Sequence, residues 1–319
     1  MKKKIFINRK VVKGPWGGEN SFMGALCKFL EKNYELTTNI DSNFNLALIN
    51  ALTLINYEDI KKIYKRGIPI IHRKTNFIAS GSEKMRSKKN GIVFGDKKQI
   101  DFDKFVSHSI FQSKFSKKTF ESEGFKGNYS IIKNGADEEK FNIFLKRFFK
   151  LKKRGFWQKN DTFKILIVSW SPNLNKGFES YKEIDENFKN TNNIQIKFIG
   201  NTPKNFKLKN ILYSKPLPHK KLAKEYKSSH ALLYLSKHET CSNTIIEAIN
   251  CGLPVIYLNS GSNKEIVGNC GIRYTGKLYE NLEVVQKNYN LLVKNCLERD
   301  LKISKVGPLY DKIIKKYIK

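Results

Sequence analysis

Along the first 135 residues, short apolar runs of strand length alternate with longer segments that repeat at helical spacing. The runs at 3–8 (KKIFIN), 34–38 (YELTT), 46–50 (LALIN), 68–74 (IPIIHRK), 104–109 (KFVSHS) and 129–135 (YSIIKNG) predict strands. Between them, the segment 19–33 places Phe22, Leu26, Phe29 and Leu30 on one face, and further helices are expected near 57–66 and 111–123. From 136 to 161 the rhythm breaks into a basic, aromatic stretch, FLKRFFKLKKRGFWQKN. It then restarts with strands at 163–170, 194–200, 211–214, 230–236, 254–259 and 271–276, and helices from about 177, 219 and 243. Two last helices are expected at 280–298 and 308–319. Strand–helix alternation of this kind implies parallel sheets covered on both faces. The expected fold class is α/β, with two Rossmann-like doubly wound domains facing each other across a cleft. Their expected spans are 1–155 and 156–319, with the final helices either completing the second domain or reaching back to the first.

Composition narrows the function classes. The chain has 319 residues, 40% of them hydrophobic, and no uncharged apolar run approaches the ~20 residues that cross a bilayer. The opening MKKKIFINRKVV has its apolar stretch interrupted by Asn8, Arg9 and Lys10, so it reads as a strand and not as a secretory signal; a cytoplasmic protein is expected. Five scattered cysteines and five histidines show neither a disulfide framework nor metal-ligand spacing. The formal net charge of +31 admits nucleic-acid binding, attraction to an anionic membrane or substrate, or compositional drift. It comes from 52 lysines and eight arginines without a basic tail, whereas base and phosphate readout favours arginine, so dedicated nucleic-acid binding is not expected. The run at 144–154 has two readings, a linker helix with solvated lysines or a surface for peripheral contact with an anionic membrane.

The stretch 236–256, SKHETCSNTIIEAINCGLPVI, carries the candidate chemistry. It follows a strand, so its first residues lie at the carboxyl end of a sheet, where ligands bind in open α/β folds. Ser242 or Asn243 caps a helix that ends before Gly252 and Pro254. The amides of its first turn, about Asn243 to Ile245, and the helix dipole form a seat for phosphate. Glu239 precedes this seat and Glu247 follows it. A carboxylate on either side of a phosphate needs other partners, and vicinal hydroxyls serve. A sugar on one side and a ribose on the other describe a nucleoside-diphosphate sugar.

The glutamate, seven residues and second glutamate followed by AINCGLPVI resemble the retaining glycosyltransferases of the GT-B fold, glycosyl transferases group 1. KGPWGGENSF resembles their amino-terminal glycine loop, FQSKFSKK and IIKNGADEEKF the end of their first domain, and SWSPNLNKGFESY and KFIGNTP the start of their second. The resemblance implies transfer of a sugar from a nucleoside-diphosphate sugar to a glycan, lipid-linked or other hydroxyl acceptor, with no metal required. It implies that Glu239 holds the transferred sugar, Glu247 the ribose, the amides around Ser242, Asn243 and Thr244 the sugar and diphosphate, and Lys176 the leaving diphosphate. Gly17 and Gly18 are either an ordinary turn or a ligand-facing loop. His72, at a strand end, is either catalytic, orienting the acceptor, or a structural histidine. Such enzymes place an arginine several residues before the lysine; this chain has Trp170, Ser171 and Asn173 there, which makes Arg73 a candidate for the missing cation. Asp101 and Asp103 in DFD mimic a metal-binding motif but precede a strand, where no ligand site is expected. Two other classes stay open: an epimerase or phosphorylase of the same fold, and a catalytically weakened polyanion-binding protein on that scaffold.

Overall fold

Twelve strands form among the described residues, and every ladder between them is parallel. The computed structural model describes residues 2–12, 17–50, 55–75, 99–143, 161–188 and 193–318. The chain divides into two units, one of Met1–Val12, Met23–Gly135 and Ile303–Lys319, the other of Lys13–Phe22 and Ala136–Lys302. The basic run at 144–154 and the expected boundary at 155/156 lie outside the described residues.

In the first unit the sheet order is β2-β1-β3-β4-β5-β6, from β1 (Lys4–Ile7), β2 (Glu35–Thr37), β3 (Leu46–Asn50), β4 (Ile70–Arg73), β5 (His108–Phe111) and β6 (Tyr129–Ile131). Helix α1 (Gly18–Leu30) enters this unit at Met23. β3, LALIN, is buried along its whole length, as a central parallel strand must be. Helix α2 (Tyr57–Lys65) is started by Asn56, whose side chain accepts from the Asp59 amide at 2.7 Å, and it turns Ile60 and Ile63 into a core with Phe6, Ile49 and Phe102. The strand expected at 104–109 is displaced: Phe102–Phe105 is a 3-10 turn, and the β4–β5 ladder begins at the pair Ile71 and His108. Phe105, the aromatic residue of that expected strand, packs edge-on to Tyr57 of α2 at 5.6 Å between ring centroids, and Phe102 stacks on the same ring at 5.1 Å. Helix α3 (Lys114–Ser122), capped by Ser113, lays Phe120 against Phe111 and Phe125.

The second unit has the order β12-β11-β10-β7-β8-β9. Its elements are β7 (Phe163–Ser169), a 3-10 turn Leu174–Lys176, α4 (Phe178–Asn187), β8 (Ile194–Gly200), β9 (Leu212–Ser214), α5 (His219–Ser228), β10 (Ala231–Tyr234), α6 (Asn243–Asn250), β11 (Val255–Tyr257), α7 (Asn263–Val267), β12 (Gly271–Arg273), α8 (Leu278–Lys287) and α9 (Tyr289–Glu298). Successive side chains point to opposite faces of a strand. Phe163, Ile165 and Ile167 of β7 and Leu233 of β10 therefore join one core, while Leu166, Leu232 and Tyr234 join the other with Ile245 and Ile249 of α6. Counted within the unit, the order reads 6-5-4-1-2-3, so the chain reverses direction of travel between β7 and β10. The carboxyl ends of those two strands are where a ligand site is expected.

The helix expected over 280–298 is two helices, because Asn288 ends α8 and opens α9. Helix α10 (Ile303–Tyr317) belongs to the first unit and begins five residues before Pro308, its expected start. Proline costs this helix one early hydrogen bond, while Val306, Tyr310 and Ile314 stay buried. Tyr34 donates to Asp311 at 2.7 Å, His108 Nδ1 lies 3.2 Å from the Tyr317 hydroxyl, and Gly307 sits where an added Cβ would be 2.6 Å from the Phe29 ring. No described helix is long and apolar enough to cross a membrane.

Candidate functional site

The loops leaving β7 and β10 are stitched together at the switch point of the second sheet. Asn173 caps the turn 174–176 by accepting from the Asn175 amide at 2.9 Å, and Gly177 follows in the left-handed region at φ 89°. A Cβ on Gly177 would stand 2.7 Å from the Leu235 carbonyl oxygen, so only glycine lets this loop close on the end of β10. The Lys237 amide donates to the Asn175 carbonyl at 2.7 Å and completes the joint. The result is that Lys176 Nζ reaches Glu239 Oε1 at 2.5 Å, although 63 positions separate the residues. Ser236 Oγ donates to the same oxygen at 2.5 Å. Burial alone would raise the Glu239 carboxyl, but the Lys176 charge and the hydrogen bonds from Lys176, Ser236 and Tyr234 outweigh it and hold it below the usual glutamate value. The Glu239 backbone is fixed as well: its carbonyl accepts from the Ser262 amide at 2.8 Å, and Gly261, at φ 58°, leaves no room for a Cβ beside it.

Helix α6 begins at Ser242, which accepts from the Ile245 amide at 3.3 Å, so the Ser242 side chain is committed to capping. Gly18 crosses this helix start so closely that a Cβ would lie 2.6 Å from Asn243 Cβ, and a Cβ on Gly17 would lie 3.1 Å from the Trp170 ring. The glycine pair is thus a close crossing in the second unit, with α1 starting from it. Glu247 is 6% exposed. Ser21 Oγ donates to its Oε1 at 3.2 Å and the Tyr226 hydroxyl to its Oε2 at 3.4 Å. Burial pushes the Glu247 carboxyl up to about 8, with Ser21, Tyr226 and the Lys140 charge offsetting part of the rise. The two glutamates of the motif therefore differ: Glu239 is held as an anion by lysine, Glu247 is held by hydroxyls.

Beside Glu247 lies an open hollow. Val168, Ile199, Leu217 and Leu222 give it an apolar wall, Thr244 and Glu247 a polar one, and Gly17, Gly18 and the 44% exposed Trp170 its rim. Lys176 and Glu239 are not part of its lining.

His72 and Arg73 end β4, which belongs to the first unit, whereas Lys176, Glu239 and Glu247 belong to the second. Arg73 donates to Asn50 Oδ1 at 2.5 Å and Asn134 Oδ1 at 2.8 Å and is 1% exposed, so its guanidinium is committed to a buried amide network. Neither ring nitrogen of His72 has a hydrogen-bond partner among the described residues, and burial first, the Lys74 charge second, hold it well below the usual histidine value. Asp103 is ion-paired with the buried Lys74. Ser21, Tyr226, Ser236 and Trp170 are the site residues that sequence reasoning missed. Of these, Ser21 had a signal, three positions after Gly18 and hence on the same side of α1.

Residues 149–302 match the family model of glycosyl transferases group 1. No curated protein matches the sequence. Among solved structures, the chain is similar to sucrose-phosphate synthase from Thermosynechococcus elongatus, with a TM-score of 0.74, 12% identity and coverage of 99% of both chains. It is similar to Anabaena HepE in complex with UDP and glucose, with a TM-score of 0.73, 12% identity, and 99% of this chain and 100% of that one covered. It is also similar to WaaG, a glycosyltransferase involved in lipopolysaccharide biosynthesis, with a TM-score of 0.66, 13% identity, and 98% and 99% covered. Two six-stranded parallel sheets and these likenesses identify a chain of the GT-B fold, and its residues 149–302 match the model of glycosyl transferases group 1.

Proposed function

We propose that the protein is a retaining glycosyltransferase that moves a sugar from a nucleoside diphosphate to an acceptor hydroxyl on a glycan or lipid-linked glycan. The observation that carries this reading is the Lys176–Glu239 pair set across the sheet's switch point, in the same unit as a hollow lined by Glu247 and by Thr244 at the amino end of α6. In this scheme Glu247 accepts from the ribose hydroxyls, and the Asn243 and Thr244 amides with Lys176 hold the diphosphate. Glu239 accepts from hydroxyls of the transferred sugar while sharing Lys176 with the phosphate. The C1–O bond breaks with its electron pair going to the diphosphate oxygen. The acceptor oxygen bonds to C1 on the face that the diphosphate leaves, and the acceptor proton passes to a diphosphate oxygen. Positive charge aimed at the departing oxygens supplies the stabilisation, so the scheme calls for no metal.

The test is incubation with a panel of nucleotide sugars and hydroxyl acceptors, followed by NMR of the product's anomeric configuration, with and without excess EDTA. Transfer with retained configuration in EDTA is expected. Inverted product, metal-reversible loss, or epimerised or phosphorolysed donor in place of transfer would each overturn the reading.

A further inference from the structure

We propose that Ser21 and Tyr226 are positioning residues that set the Glu247 carboxylate to read a vicinal diol, which makes the segment 17–22 part of the nucleotide site. This rests on Glu247 being the ribose partner. The two donors come from separate elements, Ser21 from α1 and Tyr226 from α5, and each takes a different oxygen, at 3.2 Å and 3.4 Å. Hydroxyl donors, Ser21 and Tyr226 together with an incoming diol, favour the ionised form of this buried carboxyl, and once ionised it offers about four acceptor positions, two per oxygen. One donor on each oxygen fixes the plane of the group and leaves one acceptor position on each. Two hydroxyls on adjacent ring carbons need that pair of acceptors side by side.

Both donors are themselves held. The Ser21 amide donates to the Gly17 carbonyl at 3.4 Å, and Gly18 is pressed against Asn243 with no space for a side chain. Tyr226 is fully buried, its ring packed edge-on to Phe141 at 6.0 Å, so its hydroxyl projects from an apolar core. Thr244 and Glu247, three positions apart and hence on one side of α6, face the same hollow as Gly17 and Gly18. A carboxylate with only one such donor would be free to rotate, and it would meet one hydroxyl well and its neighbour badly.

Calorimetry of the full chain with uridine, guanosine and adenosine diphosphates, and with the 2′,3′-dideoxy form of whichever binds best, tests this. The parent protein is expected to prefer the ribonucleotide. Ser21→Ala, a change that favours helix, and Tyr226→Phe are each expected to weaken ribonucleotide binding about tenfold, the loss of a hydrogen bond to a charged group. They should leave the dideoxynucleotide unchanged, and Ser21→Thr should restore the preference. Parent-like ribonucleotide affinity in both variants, or equal losses for both nucleotides, overturns the proposal while leaving Glu247 as the ribose partner. A parent protein that binds both forms equally overturns the ribose role itself, and one that binds no diphosphonucleoside overturns the function proposed above along with it.

Discussion

Replacing Glu247 by glutamine isolates the energetic cost of keeping a carboxylate in this place. Burial lifts the group from an ordinary value of 4.5 to about 8. In that interval the folded protein keeps a proton that the unfolded chain has released, so unfolding free energy falls as pH rises, by about 1.36 kcal/mol per unit. Below 4.5 both states are protonated and above about 8 both are ionised, so the contribution is whole at the acid end and lost at the alkaline end. The interval of about 3.5 units corresponds to roughly 5 kcal/mol at full ionisation, and to about 3 kcal/mol at pH 7. Glutamine has the same shape and no titration; its amide meets Ser21 and Tyr226 less well than a carboxylate does, which adds an offset that does not vary with pH. Urea unfolding of both proteins at pH 5, 6, 7, 8 and 9 measures the difference. The variant should gain on the parent steadily from pH 5 to 8 and no further, while nucleotide affinity falls. A difference that stays constant across that range would refute the assignment of a buried carboxyl with a raised pKa at position 247.

Gly177→Ala forces a Cβ onto the Leu235 carbonyl at a left-handed φ, and a loss of about 1–3 kcal/mol in thermal or urea unfolding is expected. Ser242→Ala removes the α6 cap and should cost about 1 kcal/mol in the same measurement. Lys176→Ala should lower kcat about 10²–10³-fold with a smaller change in nucleotide Kd, and an unchanged kcat would remove Lys176 from leaving-group stabilisation. If the run at 144–154 is a membrane-contact surface, replacing Lys150, Lys152, Lys153 and Arg154 by uncharged residues should abolish co-sedimentation with anionic vesicles at low salt without altering nucleotide affinity, whereas no binding by the parent protein would leave the linker reading.

Periodicity made the twelve strands and their parallel arrangement legible, because a strand buried on both faces, such as β3 or β10, writes a continuous apolar run. It failed where apolar residues serve a turn: Phe102 and Phe105 pack on Tyr57 of α2, a partner some 45 positions away. Pro308 signalled a helix start, and its real place in a second turn depends on the burial of Val306 and Tyr310, which is decided by tertiary packing. The motif around Glu239 and Glu247 was readable since its spacing is local. What separates the two glutamates was not, because Lys176 and Ser21 reach them from 63 and 226 positions away. Gly177 and Gly18 are glycines for the same reason: their constraint is the backbone or side chain they touch, which no window of sequence contains.

The return of α10 to the first unit makes that unit discontinuous in the chain. During synthesis its sheet strands all emerge before Ala136, yet the helix that supplies partners for Tyr34, His108 and Phe29 emerges only after the whole second unit. At roughly 5–20 residues per second, the incomplete sheet waits on the order of ten seconds or more with the surface meant for α10 uncovered. The second unit, contiguous but for the segment Lys13–Phe22 already made, has no such delay. The packing of the first unit can therefore be completed only after the second unit has been synthesised.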